Sequence, residues 1–413
     1  MGYVDFQAMG GAVLPAFDAD APNVVLAWSD PRTWTFRLPN ETDVVSVPAG
    51  RTLLIDQSIH VAGLIVHGTV LFAARDLDVR VGGILVLGDG VLRAGDSDQP
   101  FKHRLTITLT NHCGPEIAAG LGRKFMAAAD GGVIELCGPK RVAWAMLGDT
   151  VFPGGVVLKL MEPVDWRLGE RIVIASGGAD LPLVEERAVA GVSHDRLRIT
   201  LDRPLAHRHL GHYAPVLGAL PGAMGRVALL SRDIVVEGDA ESDATCEGAH
   251  CLVTAQLPAE APRETCRAGV ARFSGVEFRR VGQFNRVGRY PLHWSHNEQS
   301  AQSALLHSVI HQSYQRGVVV ENASGVRLLG NVVYRPLGHG FIVDQADDGA
   351  ALLTSNLAIR PRVVRFADPG MRAMCEHRPR AVWFSQLARP RTLEPLVGPL
   401  SARPRFVGSA SSR

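Results

Sequence analysis

Residues 305–311 read LLHSVIH, residues 328–334 read LLGNVVY and residues 352–359 read LLTSNLAI, so one short pattern recurs every 23 or 24 residues. Between the copies lies a second apolar run that ends in an acid, VVVE at 318–321 and FIVD at 341–344. A period in the low twenties built from short β-branched runs is typical of a β-solenoid. One such unit cannot bury its own apolar face, so successive turns must stack. The alternative is a β-sandwich with evenly spaced strands.

Stacking decides which side chains become neighbours. Equivalent positions on successive turns lie about 4.8 Å apart, the spacing between strands of a sheet. The register places Asp344 one turn above Glu321 and Arg316 one turn below His339. Two carboxylates in such a ladder have the spacing of a retaining glycosidase pair. The stacked turns also create a long shallow groove, which suits a linear polymer.

The composition indicates an all-β protein. The 413 residues include 43 glycines and 25 prolines, and most apolar runs are short and bounded by turn-forming residues. No apolar stretch approaches the roughly 18 residues of a membrane helix, so we expect no transmembrane segment. Residues 1–23 lack a basic region followed by an apolar core, so no signal peptide is expected there. A net charge of +2 argues against nucleic acid as the main partner.

Four regions follow one another along the chain. We predict a β-domain at 24–138, a β-rich connecting region at 139–270 that leads into the solenoid, a solenoid core at 271–360, and an irregular Arg/Pro-rich tail at 361–413. Closely spaced glycines punctuate the first region and are expected to supply positive-φ corners. These glycines are Gly50, Gly63, Gly68, Gly82, Gly83, Gly88, Gly90 and Gly95.

The six cysteines contain no CxxC pair and no zinc-finger spacing. Cys246, Cys251 and Cys266 lie close together in the sequence, so a disulfide bond among them is one interpretation. Free buried thiols are the other, and the sequence leaves both open. The even number of cysteines permits an oxidising compartment without requiring one.

A series of motifs resembles a known family. The motifs are WSDP at 28–31, VPAG at 47–50, DWRLGERIVIAS at 165–176, LSRDIVVEG at 230–238, GAH at 248–250, GRYPLH at 288–293 and GHGF at 338–341. Their order is similar to that in the G8-plus-β-helix ectodomains, a family that includes the cell-migration-inducing hyaluronan-binding protein and the transmembrane cell-surface hyaluronidase. The resemblance covers residues 24–360.

The resemblance implies a right-handed parallel β-helix of the pectin-lyase type, with an N-terminal G8-like domain that caps or continues it. It also implies a secreted or cell-surface protein whose partner is an acidic polysaccharide such as hyaluronan, bound and hydrolysed in the β-helix groove. A non-catalytic glycan-binding or adhesion module is an alternative, and a uronate polysaccharide lyase is a weaker one. The oligomeric state is left open.

The candidate site residues come from the same motifs. For catalysis we single out His293, His339, Asp344 and Arg289, because glycoside hydrolysis needs proton-transferring groups beside the scissile bond. Substrate binding is expected from guanidinium forks that match a uronate carboxylate, from aromatic rings that stack on sugars and from a further histidine. These residues are Arg289, Arg316, Tyr290, Trp294 and His296. Further candidate acids are Glu321, Glu298, Asp347 and Asp348, and a cluster of Asp180, Glu185 and Glu186 is either surface or calcium-binding.

Three histidines offer a possible metal site. His250, His293 and His339 each begin or precede a predicted strand, so on adjacent turns they could hold a divalent ion through neutral imidazole nitrogens. Acid–base catalysis and hydrogen bonds to sugar are the other roles open to them. The family motif Arg-Tyr-Pro-x-His-Phe-His is altered here, since Ser295 replaces the second histidine. His296 follows one place later and reaches the same face only if a bulge or a turn intervenes.

Overall fold

The computed structural model describes residues 12–13, 25–111, 117–176, 183–212, 224–258, 266–297, 299–344 and 351–362. Several residues singled out from the sequence lie outside these ranges, namely Cys113, Asp180, Glu298, Asp347, Asp348 and Cys375. The tail after residue 362 lies outside them too. Within the described ranges, the chain forms a parallel β-helix into which a small antiparallel barrel is inserted.

The first part of the chain, up to residue 137, consists of short strands and one short 3-10 helix, Pro31–Thr33. The strands are β1 (Ala12–Val13), β2 (Val25–Ala27), β3 (Val44–Val47), β4 (Thr52–Ile55), β5 (Ile59–Val61), β6 (Gly63–Val66), β7 (Thr69–Phe72), β8 (Leu77–Val81), β9 (Gly83–Leu87), β10 (Val91–Ala94), β11 (Leu105–Leu109), β12 (Phe125–Ala129) and β13 (Val133–Cys137).

The remaining strands belong to the inserted barrel and to the upper part of the β-helix. The barrel contains β14 (Trp144–Met146), β15 (Val157–Lys159), β16 (Arg171–Ala175), β17 (Val184–Val192), β18 (Arg198–Leu201) and β19 (Arg226–Leu229). A single short helix, α1 (Ser242–Thr245), follows β20 (Ile234–Gly238). The later strands are β21 (His250–Thr254), β22 (Val270–Ser274), β23 (Val276–Val281), β24 (Leu292–Asn297), β25 (Ala304–Leu306), β26 (Val309–Ser313), β27 (Val318–Ala323), β28 (Arg327–Leu329), β29 (Val332–Tyr334), β30 (Phe341–Asp344), β31 (Leu352–Thr354) and β32 (Leu357–Ile359).

Three parallel sheets form the walls of the β-helix. Sheet 1 runs β1-β3-β6-β9-β12-β21-β24-β27-β30, sheet 2 runs β2-β4-β7-β10-β13-β22-β25-β28-β31, and sheet 3 runs β5-β8-β11-β20-β23-β26-β29-β32. After the first rung, which has no described strand in sheet 3, each rung contributes one strand to each wall. The parallel β-helix predicted from the repeat is confirmed, and the sandwich alternative is excluded because the named strands of the three walls pair in parallel throughout the described ranges.

Alternate residues of each strand fill the interior. In sheet 1, Leu292 and Trp294 point inward from β24 and stack on Val318 and Val320 of β27. These side chains are almost completely buried. The period-2 alternation then directs His293 and Ser295 to the outside of the same wall.

The glycines of the first region serve two purposes, of which the sequence predicted one. Gly50, Gly88 and Gly95 do adopt positive φ. Gly68 and Gly90 do not. Added Cβ atoms there would lie 2.2 Å from the carbonyl oxygen of Pro48 and 2.1 Å from that of Val66. At these positions glycine is required because the backbone of one rung touches the next.

A barrel interrupts the β-helix between sheet 2 and sheet 3 of one rung. Its strands are antiparallel in the order β14-β19-β16-β17-β18-β15, and the two end strands meet where Leu147 bridges Leu160. Ile172 and Ile174 face the barrel core, whereas the alternate residue Val173 packs against the outside of sheet 3. The barrel therefore covers one wall of the β-helix.

The observed boundaries differ from the predicted ones. The β-helix is not confined to residues 271–360, because its rungs begin with β1 and resume at β20 after the barrel. Leu105 of β11 pairs with Ile234 of β20, so the chain returns to its rung after the insertion. The region predicted to cap or continue the solenoid continues it.

Side-chain ladders and thiols complete the fold. Asn331 and Asn356 stack at one corner, where Asn331 Nδ2 donates to Asn356 Oδ1 at 2.9 Å. Cys246 is disulfide-bonded, whereas Cys251 and Cys266 are free, so the cluster is not bridged within itself. None of the helices in the described ranges is long and apolar enough to cross a membrane.

Candidate functional site

The outer face of sheet 1 changes character along the β-helix. On the lower rungs Leu85 and Phe125 are covered by Ile117 and Leu121 in an apolar cluster. On the upper rungs the same face carries polar and charged side chains instead. They are His250, His293, Ser295, Glu321 and Asp344, joined by Arg289, Tyr290, Arg316 and His339 from the connections that precede the strands.

His293 lies at the centre of this polar face. Its Nδ1 lies 3.1 Å from the carbonyl oxygen of Gly288, and its Nε2 lies 3.1 Å from Glu321 Oε2. A carbonyl can only accept, so Nδ1 carries the hydrogen of the ring, and Nε2 faces the carboxyl group of Glu321. Burial lowers the pKa of His293, although the Glu321 carboxylate and the Gly288 carbonyl act in the opposite direction. The contact fixes the Glu321 carboxyl group beside the His293 ring.

Tyr290 and Arg316 support the ring of His293. The Tyr290 ring packs edge-on against it, with centroids 4.9 Å apart. The Arg316 guanidinium lies over the Tyr290 ring, 5.4 Å from its centroid. Its Nη1 donates a hydrogen bond to the Tyr290 hydroxyl at 3.3 Å. Tyr290 is buried and Arg316 is half-buried. The guanidinium is thus held in place while one side stays accessible.

Arg289 is held from the other direction. Its Nη1 donates to Gln283 Oε1 at 2.9 Å, and its guanidinium lies over Gly122. A Cβ at Gly122 would be 2.5 Å from Arg289 Nη1, so only glycine leaves room for the arginine there. Among the described residues, no carboxylate lies within 4 Å of the guanidinium of Arg289 or of Arg316. Two oriented cations without an acidic partner are suited to an anionic ligand.

Two acids align on the outer face as the repeat predicted. Glu321 of β27 is the register partner of Asp344 of β30, and Ser295 occupies the same column one rung below. Adjacent rungs place the two backbones about 4.8 Å apart. The Glu321 side chain is 41% exposed, which leaves its carboxyl open to a ligand. The column therefore offers two carboxyl groups at one solvent-facing surface.

His250 is closed off from the surface. Its side chain is buried, and its Nε2 lies 3.0 Å from the carbonyl oxygen of Leu121. Burial, reinforced by the charge of Arg289, lowers its pKa to about 3. The ring therefore stays neutral and ties the covering segment to sheet 1, and it cannot reach a ligand.

The predicted metal site does not form. No group of three or more His, Cys, Asp or Glu side chains within the described ranges could hold a metal ion. His250 donates to a backbone carbonyl, His293 is engaged by Glu321, and His339 is exposed on the connection before β30. The rings of His250 and His293 are thus buried, whereas that of His339 is exposed.

Two predicted sugar-binding residues need correction or refinement. Trp294 points into the helix core and is completely buried, so it cannot stack on a sugar. His296 has φ 46°, and the register continues without a shift from Ser295 opposite Glu321 to Asn297 opposite Ala323, so this position is a left-handed turn and not a bulge. Its exposed ring contacts Ser295 Oγ at 2.9 Å and Asn322 Nδ2 at 3.4 Å, so it lies at the corner of sheet 1 beside the acidic column.

The acidic pair in the barrel has a structural role. Glu185 is buried and accepts hydrogen bonds from the backbone of Ala206 and His207 and from His209. Burial acts to raise the pKa of Glu185, but these hydrogen bonds and the charge of Arg187 hold it at about 2. The Tyr334 hydroxyl donates to Glu186 Oε1 at 2.9 Å, which joins the barrel to sheet 3. Neither acid is arranged for calcium.

Sequence reasoning missed the residues that fix the site. Gln283 orients Arg289, and the carbonyl of Gly288 sets the tautomer of His293. Glu321 was considered only as one acid of a ladder and not as the partner of His293. The register could have found this pairing, since Ser295 opposes Glu321 and His293 lies two residues before Ser295 on the same face.

Two family models match the chain. The G8 domain matches residues 33–148, and the CEMIP beta-helix matches residues 265–392. Human fibrocystin-L is 30% identical over 369 residues, which cover 81% of this chain and 9% of that protein. Canine fibrocystin is 29% identical over 357 residues, covering 77% of this chain and 8% of that protein. A G8 domain-containing protein of Dictyostelium discoideum is 26% identical over 347 residues, covering 80% of this chain and 29% of that protein.

Solved structures with some likeness are bacteriophage tailspikes. The gp61 tailspike of Pseudomonas phage phi297 has a TM-score of 0.22 at 12% identity, covering 69% of this chain and 42% of that chain. The Gp54 tailspike of Acinetobacter baumannii bacteriophage AP22, solved with capsular saccharide, has a TM-score of 0.20 at 9% identity, covering 76% of this chain and 40% of that chain. The chain spans about a tenth of the length of the fibrocystin relatives. The two matched regions agree with the sequence motifs and with the observed rungs. The chain therefore carries a G8 domain joined to a CEMIP β-helix, and it resembles the G8-plus-β-helix ectodomains.

Proposed function

We propose that the outer face of sheet 1 on rungs β24, β27 and β30 binds an acidic polysaccharide of the hyaluronan type and hydrolyses it, in a secreted or cell-surface setting. The observation that carries the proposal is the pair Arg289 and Arg316. Both guanidiniums are oriented by neighbours and have no carboxylate partner among the described residues. Arg316 lies over the Tyr290 ring that packs on His293, and Arg289 directly follows Gly288, whose carbonyl oxygen lies 3.1 Å from His293 Nδ1. A uronate carboxylate matches the planar fork of arginine.

The chemistry of the proposed hydrolysis rests on the acidic column. We assign Glu321 as the general acid, which gives a proton to the leaving glycosidic oxygen. The Asp344 carboxylate, one rung away, attacks the anomeric carbon as that bond breaks, and water then hydrolyses the glycosyl ester and releases the carboxylate. The rung spacing of about 4.8 Å suits the close carboxyl pair of a retaining enzyme. His293 is a positioning residue that orients the Glu321 carboxyl group.

A non-catalytic glycan-binding module is the second candidate function, and one observation favours it. Ser295 stands where the related motif has a second histidine, and its hydroxyl contacts His296. A serine at this position can hydrogen-bond a sugar but cannot exchange a proton near neutral pH. Binding through Arg289 and Arg316 would remain in such a protein, without any cleavage.

The size distribution of high-molecular-weight hyaluronan after incubation with the purified chain tests both candidates. Shortened chains without an ultraviolet-absorbing product support hydrolysis, and an absorbing unsaturated product identifies a lyase instead. Unchanged chains that bind the protein leave the binding module. A parallel incubation with a chelator tests metal dependence.

Variants of the two arginines locate the site. Arg289→Ala and Arg316→Ala are expected to weaken hyaluronan binding, whereas Arg327→Ala, an exposed arginine on sheet 2, should leave it unchanged. Gly122→Ala gives an indirect check, because the new methyl group displaces Arg289 without removing it. Full binding by both Arg289→Ala and Arg316→Ala would contradict the proposed site.

A further inference from the structure

The corner between sheet 3 and sheet 1 carries a column of left-handed residues. Arg280, Gln312, Arg335 and Arg360 occupy equivalent positions on successive rungs, with φ values of 51°, 50°, 53° and 48°. A long side chain is uncommon in this backbone region, where glycine and asparagine are favoured. At the corner between sheet 2 and sheet 3, the left-handed positions are occupied by Gly275, His307, Gly330 and Ser355. Arginine is therefore not demanded by the turn.

The lower arginine of this column is neutralised within the protein. Arg280 Nη2 lies 2.6 Å from Glu237 Oε2, and its Nε donates to the carbonyl oxygen of Gly238 at 2.8 Å. Its charge therefore has a structural role on that rung.

The two upper arginines differ. Arg335 is exposed and Arg360 is half-buried, and no carboxylate among the described residues lies within 4 Å of either guanidinium. They follow the paired strands β29 and β32, where Tyr334 faces Ile359, so their backbones are one rung apart, about 4.8 Å. Two like charges held in such a ladder repel each other unless an anion lies between them.

This corner is continuous with the candidate site. The connections after β26 and β29 stack on each other, since Leu337 N–H donates to the carbonyl oxygen of Gln315 at 3.0 Å and Gly317 N–H donates to that of His339 at 2.9 Å. Arg316 belongs to the lower connection, and Arg335 begins the upper one. The cations of the two surfaces therefore lie along one continuous ridge.

We propose that Arg335 and Arg360, here called the arginine corner, form a second anion-binding patch that holds a further stretch of the acidic polysaccharide bound on sheet 1. This inference rests on the proposed function and adds the course of the polymer, which passes from sheet 1 over the corner towards sheet 3. Long chains then bind more tightly than short ones, because only a long chain reaches both patches at once.

The test compares two hyaluronan probes with one set of variants. The double variant Arg335→Asn/Arg360→Asn removes both charges and keeps a residue that tolerates left-handed backbone. We expect its affinity for high-molecular-weight hyaluronan to fall by about fivefold to tenfold, as for two partly exposed charge pairs. Its affinity for a short hyaluronan oligosaccharide should not change. Arg327→Asn, an exposed arginine on sheet 2, is the matched control.

The possible outcomes distinguish failure of the arginine corner from failure of the proposed binding site on sheet 1. Unchanged polymer affinity in the double variant, together with lost affinity in Arg289→Ala, overturns the arginine corner and leaves the proposed function intact. An equal loss in Arg327→Asn also overturns it, because the effect would then be one of net charge. If the unaltered chain binds neither probe, both proposals fail.

Discussion

Two histidine–glutamate pairs lie on the outside of the β-helix, and they differ in what covers them. On sheet 1, His293 Nε2 is 3.1 Å from Glu321 Oε2, and on sheet 3, His311 Nε2 is 2.9 Å from Glu277 Oε1. The Glu321 side chain is 41% exposed, whereas that of Glu277 is 6% exposed. The barrel packs against sheet 3. The same stacked geometry therefore yields one open pair and one closed pair.

The closed pair finds its partners within the protein. Glu277 also accepts a hydrogen bond from the backbone N–H of Arg232 at 3.1 Å and lies 3.8 Å from Arg279. Burial acts to raise the pKa of Glu277, but the hydrogen bond and charge of His311 and the charge of Arg279 hold it below its usual value. Near the open pair, by contrast, the described residues supply no acidic partner to Arg289 or Arg316. The two pairs have the same residue types. Packing of the barrel over sheet 3 makes one pair structural, and the open surface of sheet 1 makes the other a candidate binding site.

Glu277→Ala should produce the largest effect on stability. It leaves His311 and the neighbouring arginines in a buried region without their carboxylate, and breaking a buried charge pair in this way costs about 3–5 kcal/mol. Glu321→Ala is the matched change on sheet 1, and it should cost less than about 1 kcal/mol because water replaces the lost group. Denaturant unfolding of both variants measures the difference. Equal destabilisation would remove the distinction drawn between the two pairs.

Glu321→Gln sharpens the comparison on the functional side. The amide keeps the size of the side chain but cannot supply a proton, so the rate of hyaluronan cleavage should fall by about 10²-fold or more. The free energy of unfolding should change by less than about 1 kcal/mol. Glu135→Gln, which alters a glutamate between two arginines on sheet 2, provides a control outside the site. Undiminished cleavage in Glu321→Gln would remove Glu321 from the proposed mechanism.

The sequence predicted the fold better than it predicted the site. The 23-residue repeat was sufficient to place Glu321 below Asp344, because register follows from counting residues within stacked rungs. The barrel was not predicted, because strands β14 to β19 carry no repeat and their closure depends on contacts between distant segments. The metal hypothesis for His250 and His339 was wrong for a similar reason. Burial by a covering segment and exposure on a connection are tertiary properties that spacing does not encode.

His250 predicts a pH dependence of stability, and the lowered pKa of His293 in the open pair adds to it in the same direction. Its pKa is about 3 in the folded protein and 6.5 in the unfolded chain, so the unfolded state binds a proton first as the pH falls. Stability should therefore decrease from about pH 6.5 downwards, by about 2 kcal/mol at about pH 5. In His250→Gln this slope should be smaller, whereas the exposed His194→Gln should retain it. Unfolding curves across this pH range provide the measurement, and an unchanged slope in His250→Gln would contradict the assignment.

Substitutions of His296 should have the smallest effect on the free energy of unfolding. They distinguish backbone strain from side-chain contact at the corner of sheet 1. Its φ of 46° is matched by 47° at Asn322 on the next rung, so asparagine already occupies this turn. His296→Asn should change the free energy of unfolding by less than about 0.5 kcal/mol. His296→Val should cost about 1–2 kcal/mol, because a β-branched side chain clashes with the backbone in the left-handed region. Equal unfolding midpoints for the two variants would show that the left-handed corner does not constrain which residue occupies this position.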